Sequence, residues 1–174
     1  ETDGNITKES GDPTETALII AGILCGFKKE QFSSYKLLDS IPFSSDIMYS
    51  ASLVEDHKGK KEIIAKGAPD KILDLCSHCY SDGKILPLDS SLRKDIHEAL
   101  VSRSSKGFRL IGFFKRDDVS DTSLSHDAVK SSVFLGAAAI YDPPKDEVKQ
   151  VIAEAKGAGI NLVMITGDSK QTGF

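Results

Sequence analysis

Three short segments carry residue types that could act on a phosphate-bearing ligand. In Lys66-Gly67-Ala68-Pro69-Asp70 a lysine ends a strand-like run and a helix start follows. A cation beside the free backbone N–H groups of a first helical turn suits an anion such as a phosphate. The segment is not a GxxxxGK[ST] loop, which occurs nowhere in the chain. On local grounds alone a strand-to-helix turn with a solvated lysine accounts for the same residues. In Ile41-Pro42-Phe43-Ser44-Ser45-Asp46 an aromatic precedes small polar residues. It could stack on a planar base, with hydrogen bonds around it, or be a core phenylalanine at a strand turn. The third group is Asp142-Pro143-Pro144-Lys145 with Met164-Ile165-Thr166-Gly167-Asp168. Both follow apolar runs, and ligands of open α/β sheets bind at the carboxyl ends of the strands. Carboxylate and hydroxyl oxygens there could serve Mg²⁺ and phosphate, or cap loop amides. Arg109, opening another apolar run after Gly107, could reach a phosphate or stay a solvated edge arginine.

Other reactive types carry less. Cys76-Ser77-His78-Cys79 is a lone CxxC, whereas a structural zinc site needs four ligands. It reads as a short helix end with one buried thiol. His57, His78, His97 and His126 stand in polar segments and read as solvent-facing, with no catalytic role. No intrinsic metal site is expected.

The elements that must position these residues change character along the chain. Asp12 as N-cap, Pro13 at the first helical position and Glu15 at the capping-box position start a helix. Ala17, Ile20, Ala21 and Leu24 share a face of it, and Gly26 stops it. Tyr35 to Phe43, Ile47 to Val54 and Lys61 to Lys66 read as strands, the last two around the turn at residues 56–60. Pro69 opens a short helix to Cys76. Asp82-Gly83 marks a turn before an extended piece at residues 85–88. Ser90 or Ser91 caps a longer helix with Leu92, Ile96, Ala99 and Leu100 on one face. Phe108 to Phe114 is strand-like, and Arg116 to Ser132 reads as a polar surface loop. Val133 to Tyr141, Lys145 to Lys156 and Asn161 to Ile165 then read as strand, helix and strand, a βαβ unit. The fold class is thus α/β (α+β): an antiparallel sheet with flanking helices, followed by a partial βαβ.

Composition bounds the function. With 22 Lys+Arg against 26 Asp+Glu the net charge is -4, which argues against nucleic acid as a partner. The longest apolar run, Ala17 to Cys25, is far short of the roughly 20 residues of a membrane span. The first residues, Glu1-Thr2-Asp3-Gly4, carry no signal-peptide pattern, so a piece of a larger protein is expected.

In this order the segments resemble the P-type cation-transporting ATPases, type II, calcium-pump-like. Gly11-Asp12-Pro13-Thr14-Glu15-Thr16-Ala17-Leu18 is similar to their GDPTE-x-AL segment. Pro42-Phe43-Ser44-Ser45-Asp46 resembles the start of PFxSxRK, and Lys66-Gly67-Ala68-Pro69-Asp70 resembles KGAPE. Gly107-Phe108-Arg109 resembles GxR, Asp142-Pro143-Pro144-Lys145 resembles DPPR, and Thr166-Gly167-Asp168 resembles TGD. The resemblance implies a nucleotide-binding domain over residues 1–130 and a fragment of a dehalogenase-like phosphorylation domain over 131–174. It implies a cytosolic ATP-binding part of a pump that couples ATP hydrolysis, through an aspartyl-phosphate, to cation transport, with calcium suggested by the subclass. Phe43 would stack on adenine, Glu15 would contact its edge, Lys66 and Gly67 would line the pocket, and Arg109 would reach the phosphates. Asp142, Thr166, Gly167 and Asp168 would lie near the γ-phosphate and Mg²⁺. The partners implied are ATP, Mg²⁺ and the pump's phosphorylation, actuator and transmembrane domains. The implied location is the cytoplasmic face of a membrane, with no direct membrane contact. The phosphorylated aspartate is not in this sequence, so no catalytic residue is assigned and the isolated chain is expected to be inactive. Ile47 and Met48 stand where the family carries Arg-Lys, which removes a cation from the pocket. A nucleotide-independent interaction module and a dehalogenase-like phosphatase are the alternatives. The phosphatase needs a DxDx[TV] motif, which the sequence lacks.

Overall fold

The computed structural model describes residues 12–117, 119–120, 122–141 and 147–163. One seven-stranded sheet dominates them, in the order β1-β2-β3-β6-β7-β4-β5. The strands are β1 (Lys36–Ile41), β2 (Tyr49–Glu55), β3 (Lys61–Gly67), β4 (Cys76–Ser81), β5 (Lys84–Pro87), β6 (Arg109–Asp117) and β7 (Ser132–Ile140). All neighbours pair antiparallel except β4 and β7, which are parallel. The helices are α1 (Pro13–Leu24), α2 (Pro69–Asp74), α3 (Ser90–Ser104) and α4 (Glu147–Gly157).

The tight turns form where the residues allow them. Asp56 accepts from the backbone N–H groups of Lys58 and Lys60, and Gly59 adopts a positive φ, which closes β2 onto β3. Asp82 and Gly83 both have positive φ, the backbone a two-residue hairpin between β4 and β5 needs. The core follows strand alternation. Tyr49, Ala51 and Leu53 of β2 and Ile63 and Ala65 of β3 are buried with Ile72 and Leu73 of α2. Gly112 lets α2 approach, since a Cβ there would lie 2.9 Å from the Pro69 Cα and 3.2 Å from the Ile72 Cβ.

Several expectations change. Cys76 to Cys79 is a strand, because α2 stops at Asp74 and the chain pairs with both β5 and β7. A register irregularity between Cys76 and His78 lets both cysteines reach the core, each 3% exposed. The strand expected to open a βαβ unit, β7, instead lies inside the one sheet, between β6 and β4. Residues 161–163 are not strand, and Met164 and Ile165 fall outside the described residues. The supposed surface loop after β6 delivers a wholly buried Val129, with Val119, Leu124 and Ala128 packed on the core. Asp89, not a serine, caps α3, accepting from the Leu92 N–H at 2.8 Å. Helix α1 buries no residue fully: on the face assigned from spacing Ala17 and Ile20 are half-buried, while Ala21 is exposed and Leu24 is 80% exposed.

The thiols give a first prediction. Burial pushes the Cys76 thiol up to about 12, and it donates to the Ile72 carbonyl at 3.1 Å. Burial raises Cys79 as well, while Cys25 is exposed. Since the thiolate is the reactive form, an alkylating reagent at about pH 7.5 should modify Cys25 alone in the folded chain. Mass spectrometry should find Cys76 and Cys79 labelled only after denaturant is added.

Acid stability gives a second. The Lys115 ammonium 2.9 Å away, helped by Lys60 at 3.4 Å, holds the Asp117 carboxyl below its usual range. The Leu124 and Ser40 N–H groups do the same for Asp39. Each folded-state value lies below the unfolded one, near 3.8, so the unfolded chain binds more protons. This stability is present above that value and drains away as the pH falls from it through the lower folded values. Melting temperatures should therefore drop below about pH 4, and Asp117→Asn should make that drop shallower.

Candidate functional site

The site begins at the start of α1. Asp12 has extended backbone, and its Oδ1 accepts from the Thr14 N–H at 2.9 Å and the Glu15 N–H at 3.2 Å. The Glu15 N–H, above all, lowers the Asp12 carboxyl, with Arg109 adding a smaller share. The carboxylate therefore stays charged, and the first turn is held in helical form. That turn projects two side chains onto the sheet. Glu15 forms a hydrogen-bonded ion pair with the Lys66 ammonium, 51 residues away in sequence. Thr14 Oγ1 accepts from Arg109 Nη1 at 3.3 Å, 95 residues away.

Strand register explains why these two cations meet α1 rather than α2. Lys66 is opposite Phe113, and Gly67 is opposite Gly112. Gly112 faces α2, so Arg109, Ile111 and Phe113 alternate to the other face, and Lys66 joins them. The first turn of helix α1 meets that second face through Glu15 and Thr14. The end of β1, the start of β2, the end of β3 and the start of β6 all fall at one end of the sheet. Phe43, just past β1, belongs to that end.

The link from Phe43 to Lys66 is a tight clasp. The turn after Phe43 closes with the Met48 N–H donating to the Ser44 carbonyl at 2.8 Å. Met48 has φ 59°, an uncommon backbone for a residue with a side chain. Its carbonyl accepts from the Ala68 N–H at 2.9 Å. At Gly67 a Cβ would sit 2.4 Å from the Met48 carbonyl oxygen and 2.6 Å from the Tyr49 Cα. Only glycine fits there.

The side chains at this end are chemically complementary to a nucleotide. Phe43 is 63% exposed and makes no ring pair among the described residues. A carboxylate and two cations stand on the same end, with the Lys66 and Glu15 side chains 36% and 60% exposed. Ile47 packs partly buried against the core, and Met48 is 41% exposed, so neither offers a cation. Among the described residues no group of three or more His, Cys, Asp or Glu converges as metal ligands. Asp142, Thr166, Gly167 and Asp168 lie outside the described residues.

The structure therefore brings together Glu15, Lys66, Gly67 and Arg109, with Phe43 at the same sheet end. Sequence reasoning missed Thr14 as the acceptor for Arg109, and it missed His126. That histidine is exposed, as its polar segment suggests, but it also meets the hydroxyl of the buried Tyr49 at 2.7 Å through Nδ1. No local signal pairs residues 77 apart on a strand and a polar loop. Of the other three, His57 and His97 are exposed and His78 is half-buried.

Sheet, clasp and charged cluster define a mixed α/β domain that gathers an exposed aromatic, a carboxylate and two cations at one sheet end. The chain belongs to the P-type ATPase cytoplasmic domain N family, whose pattern it matches over residues 1–147. It is 36% identical over 172 residues to the protein named calcium-transporting ATPase 1 of Bacillus cereus, covering 98% of this chain and 19% of that protein. It is 37% identical over 164 residues to the calcium-transporting ATPase of Bacillus subtilis, covering 93% and 18%. A third relative, calcium-transporting ATPase 1 of Lactococcus lactis, is 33% identical over 164 residues, covering 93% and 19%. The chain thus spans about a fifth of the length of these relatives. Among the described residues no helix is long and apolar enough to cross a membrane.

Proposed function

We propose that this chain is the ATP-binding part of a P-type pump that couples ATP hydrolysis, through an aspartyl-phosphate and with Mg²⁺, to cation transport. The names of the relatives support calcium as the cation, and the family's description supports a cytoplasmic position for the domain. One observation carries the reading. A helix start, a strand end and a second strand start, far apart in sequence, place Glu15, Lys66 and Arg109 together at the sheet end where Phe43 stands uncovered. Phe43 stacks on the adenine ring, Glu15 accepts from its exocyclic amine, Lys66 and Gly67 line the pocket, and Arg109 turns toward the phosphates. The Glu15–Lys66 pair is no obstacle, since exposed ion pairs contribute only about 0–1 kcal/mol. ATP can therefore open it at small cost.

The place of β7 inside the sheet and the family match through residue 147 support a nucleotide-binding domain that runs past residue 130, with the phosphorylation domain after it. Asp142, Thr166, Gly167 and Asp168 serve the γ-phosphate and Mg²⁺ in the assembled pump, and the isolated chain binds ATP without hydrolysing it. The pump's other domains are its partners.

The test is an amide NMR titration of the chain with ATP, with and without Mg²⁺. Saturable shifts at Glu15, Phe43, Lys66 and Gly67 are expected. A well-dispersed spectrum that does not move up to about 10 mM ATP would overturn the assignment. Steady release of phosphate by the pure chain would overturn the inactivity.

A further inference from the structure

We propose that Tyr49 is a positioning residue, which, anchored by His126, holds the turn carrying Phe43 in register with the Lys66–Gly67 strand end. The proposal rests on the nucleotide reading above.

Tyr49 opens β2 and is 5% exposed. It is opposite Gly67 in the ladder, and its Cα and Cβ occupy the space where a side chain at 67 would stand. Met48, its neighbour, supplies both closing contacts of the clasp, one to Ser44 and one to Ala68. Any movement of Tyr49 is therefore transmitted to the Phe43 turn on one side and the Lys66 strand end on the other. The ring does not simply end in the core. Its hydroxyl meets His126 Nδ1 at 2.7 Å, and the two rings stand edge to face, 6.1 Å apart at 85°.

His126 is itself fixed. Two residues before it, the Leu124 N–H donates to Asp39 Oδ2 at 2.7 Å. Two residues after it, the Ala128 carbonyl accepts from Arg116 Nη1 at 2.6 Å, and Val129 is wholly buried. The backbone that carries the exposed histidine is thus tied to β1 and β6 on either side of it, which makes it a post for the tyrosine. Burial pushes the Tyr49 hydroxyl up, so it remains a phenol and keeps its O–H. Removing the hydroxyl keeps the ring's packing but frees it from the post. The clasp then loosens where it holds the site.

The experiment compares ATP dissociation constants of the wild-type chain, Tyr49→Phe, His126→Ala, their double variant and His126→Asn, with amide spectra of each without nucleotide. Loss of one ordinary hydrogen bond should raise the dissociation constant about 3- to 10-fold in Tyr49→Phe and in His126→Ala. Nucleotide-free shifts should centre on residues 44–49 and 67–68. The double variant should bind no more weakly than the weaker single, because both remove one interaction. His126→Asn, whose amide can stand near the place of Nδ1, should recover most of the affinity. If Tyr49→Phe misfolds, His126→Ala at its exposed position decides the question. Unchanged affinity in His126→Ala, additive losses, or no recovery with Asn would overturn the proposal, even if the melting temperature falls. Failure of the wild-type chain to bind ATP overturns the nucleotide reading itself, and is seen before any variant is compared.

Discussion

Phe43→Ala should weaken ATP binding about 5- to 150-fold, the range expected when a base loses an aromatic stacking partner worth about 1–3 kcal/mol. The ring is 63% exposed without ligand, so its truncation removes little buried surface. Stability should stay within about 0.5 kcal/mol of wild type, as for other surface substitutions. That separation makes the result interpretable, because affinity falls in a chain that is still folded. Phe32→Ala is the matching control. Phe32 is 54% exposed and sits in a different aromatic run, 6.1 Å from the Phe27 ring and 6.4 Å from Tyr35. It should leave the dissociation constant unchanged. Equal affinity in wild type and Phe43→Ala, read by calorimetry or NMR titration, would remove adenine stacking from the account.

The second large effect is steric. Gly67→Ala should destabilise the chain by about 3 kcal/mol or more, the upper end for overpacking. The added methyl has nowhere to go. It would lie 2.4 Å from the Met48 carbonyl oxygen and 2.6 Å from the Tyr49 Cα, and backbone does not move aside as a flexible side chain does. For a chain of this size the loss corresponds to a fall in melting temperature of about 6–12 °C. Relief requires the clasp to open, so ATP affinity should fall too, even well below the melting point. Gly83→Ala meets nothing within 4 Å and carries only the strain of its positive φ. It should cost about 1 kcal/mol and leave ATP affinity alone. A Gly67→Ala chain with wild-type melting and affinity would show that the Met48 carbonyl can yield.

Much of the fold is legible from residue types because it is set locally. Asp12, Pro13 and Glu15 announce α1, whose cap bonds are those expected of an N-cap aspartate. The turn residues at 56–60 between two β-forming runs announce β2 and β3, while their buried faces, Tyr49, Ala51 and Leu53 with Ile63 and Ala65, are known from the packing. The candidate site was legible as a set of segments too, since Lys66-Gly67, Phe43 and Arg109 each pair a binding-type residue with a turn or strand end. Ser77 to Cys79 was not legible. Its period fits neither helix nor strand, because an irregularity in register breaks the alternation. Strand β7 was misplaced for a related reason. A continuous apolar run reads as a strand covered on both faces, yet Leu135, Ala137 and Ala139 are exposed in β7, and nothing in its residues says which neighbours it takes.

Residue types alone establish the start of α1, the turns at residues 56–60 and 82–83, the strand character of β2 and β3, the motifs and the lack of a cationic excess. These depend on backbone preferences, side-chain period and net charge, all readable over a few residues. The family resemblance was readable as well, and the matched domain and relatives agree with it. Long-range packing settles that Glu15 pairs with Lys66, that Arg109 bonds Thr14, and that β7 joins β6 to β4 within one sheet. It also brings the exposed His126 to the hydroxyl of the buried Tyr49. Such contacts join residues 51 to 95 positions apart. Strand order and register select them, and both are settled by how the whole core packs rather than by any local stretch of chain.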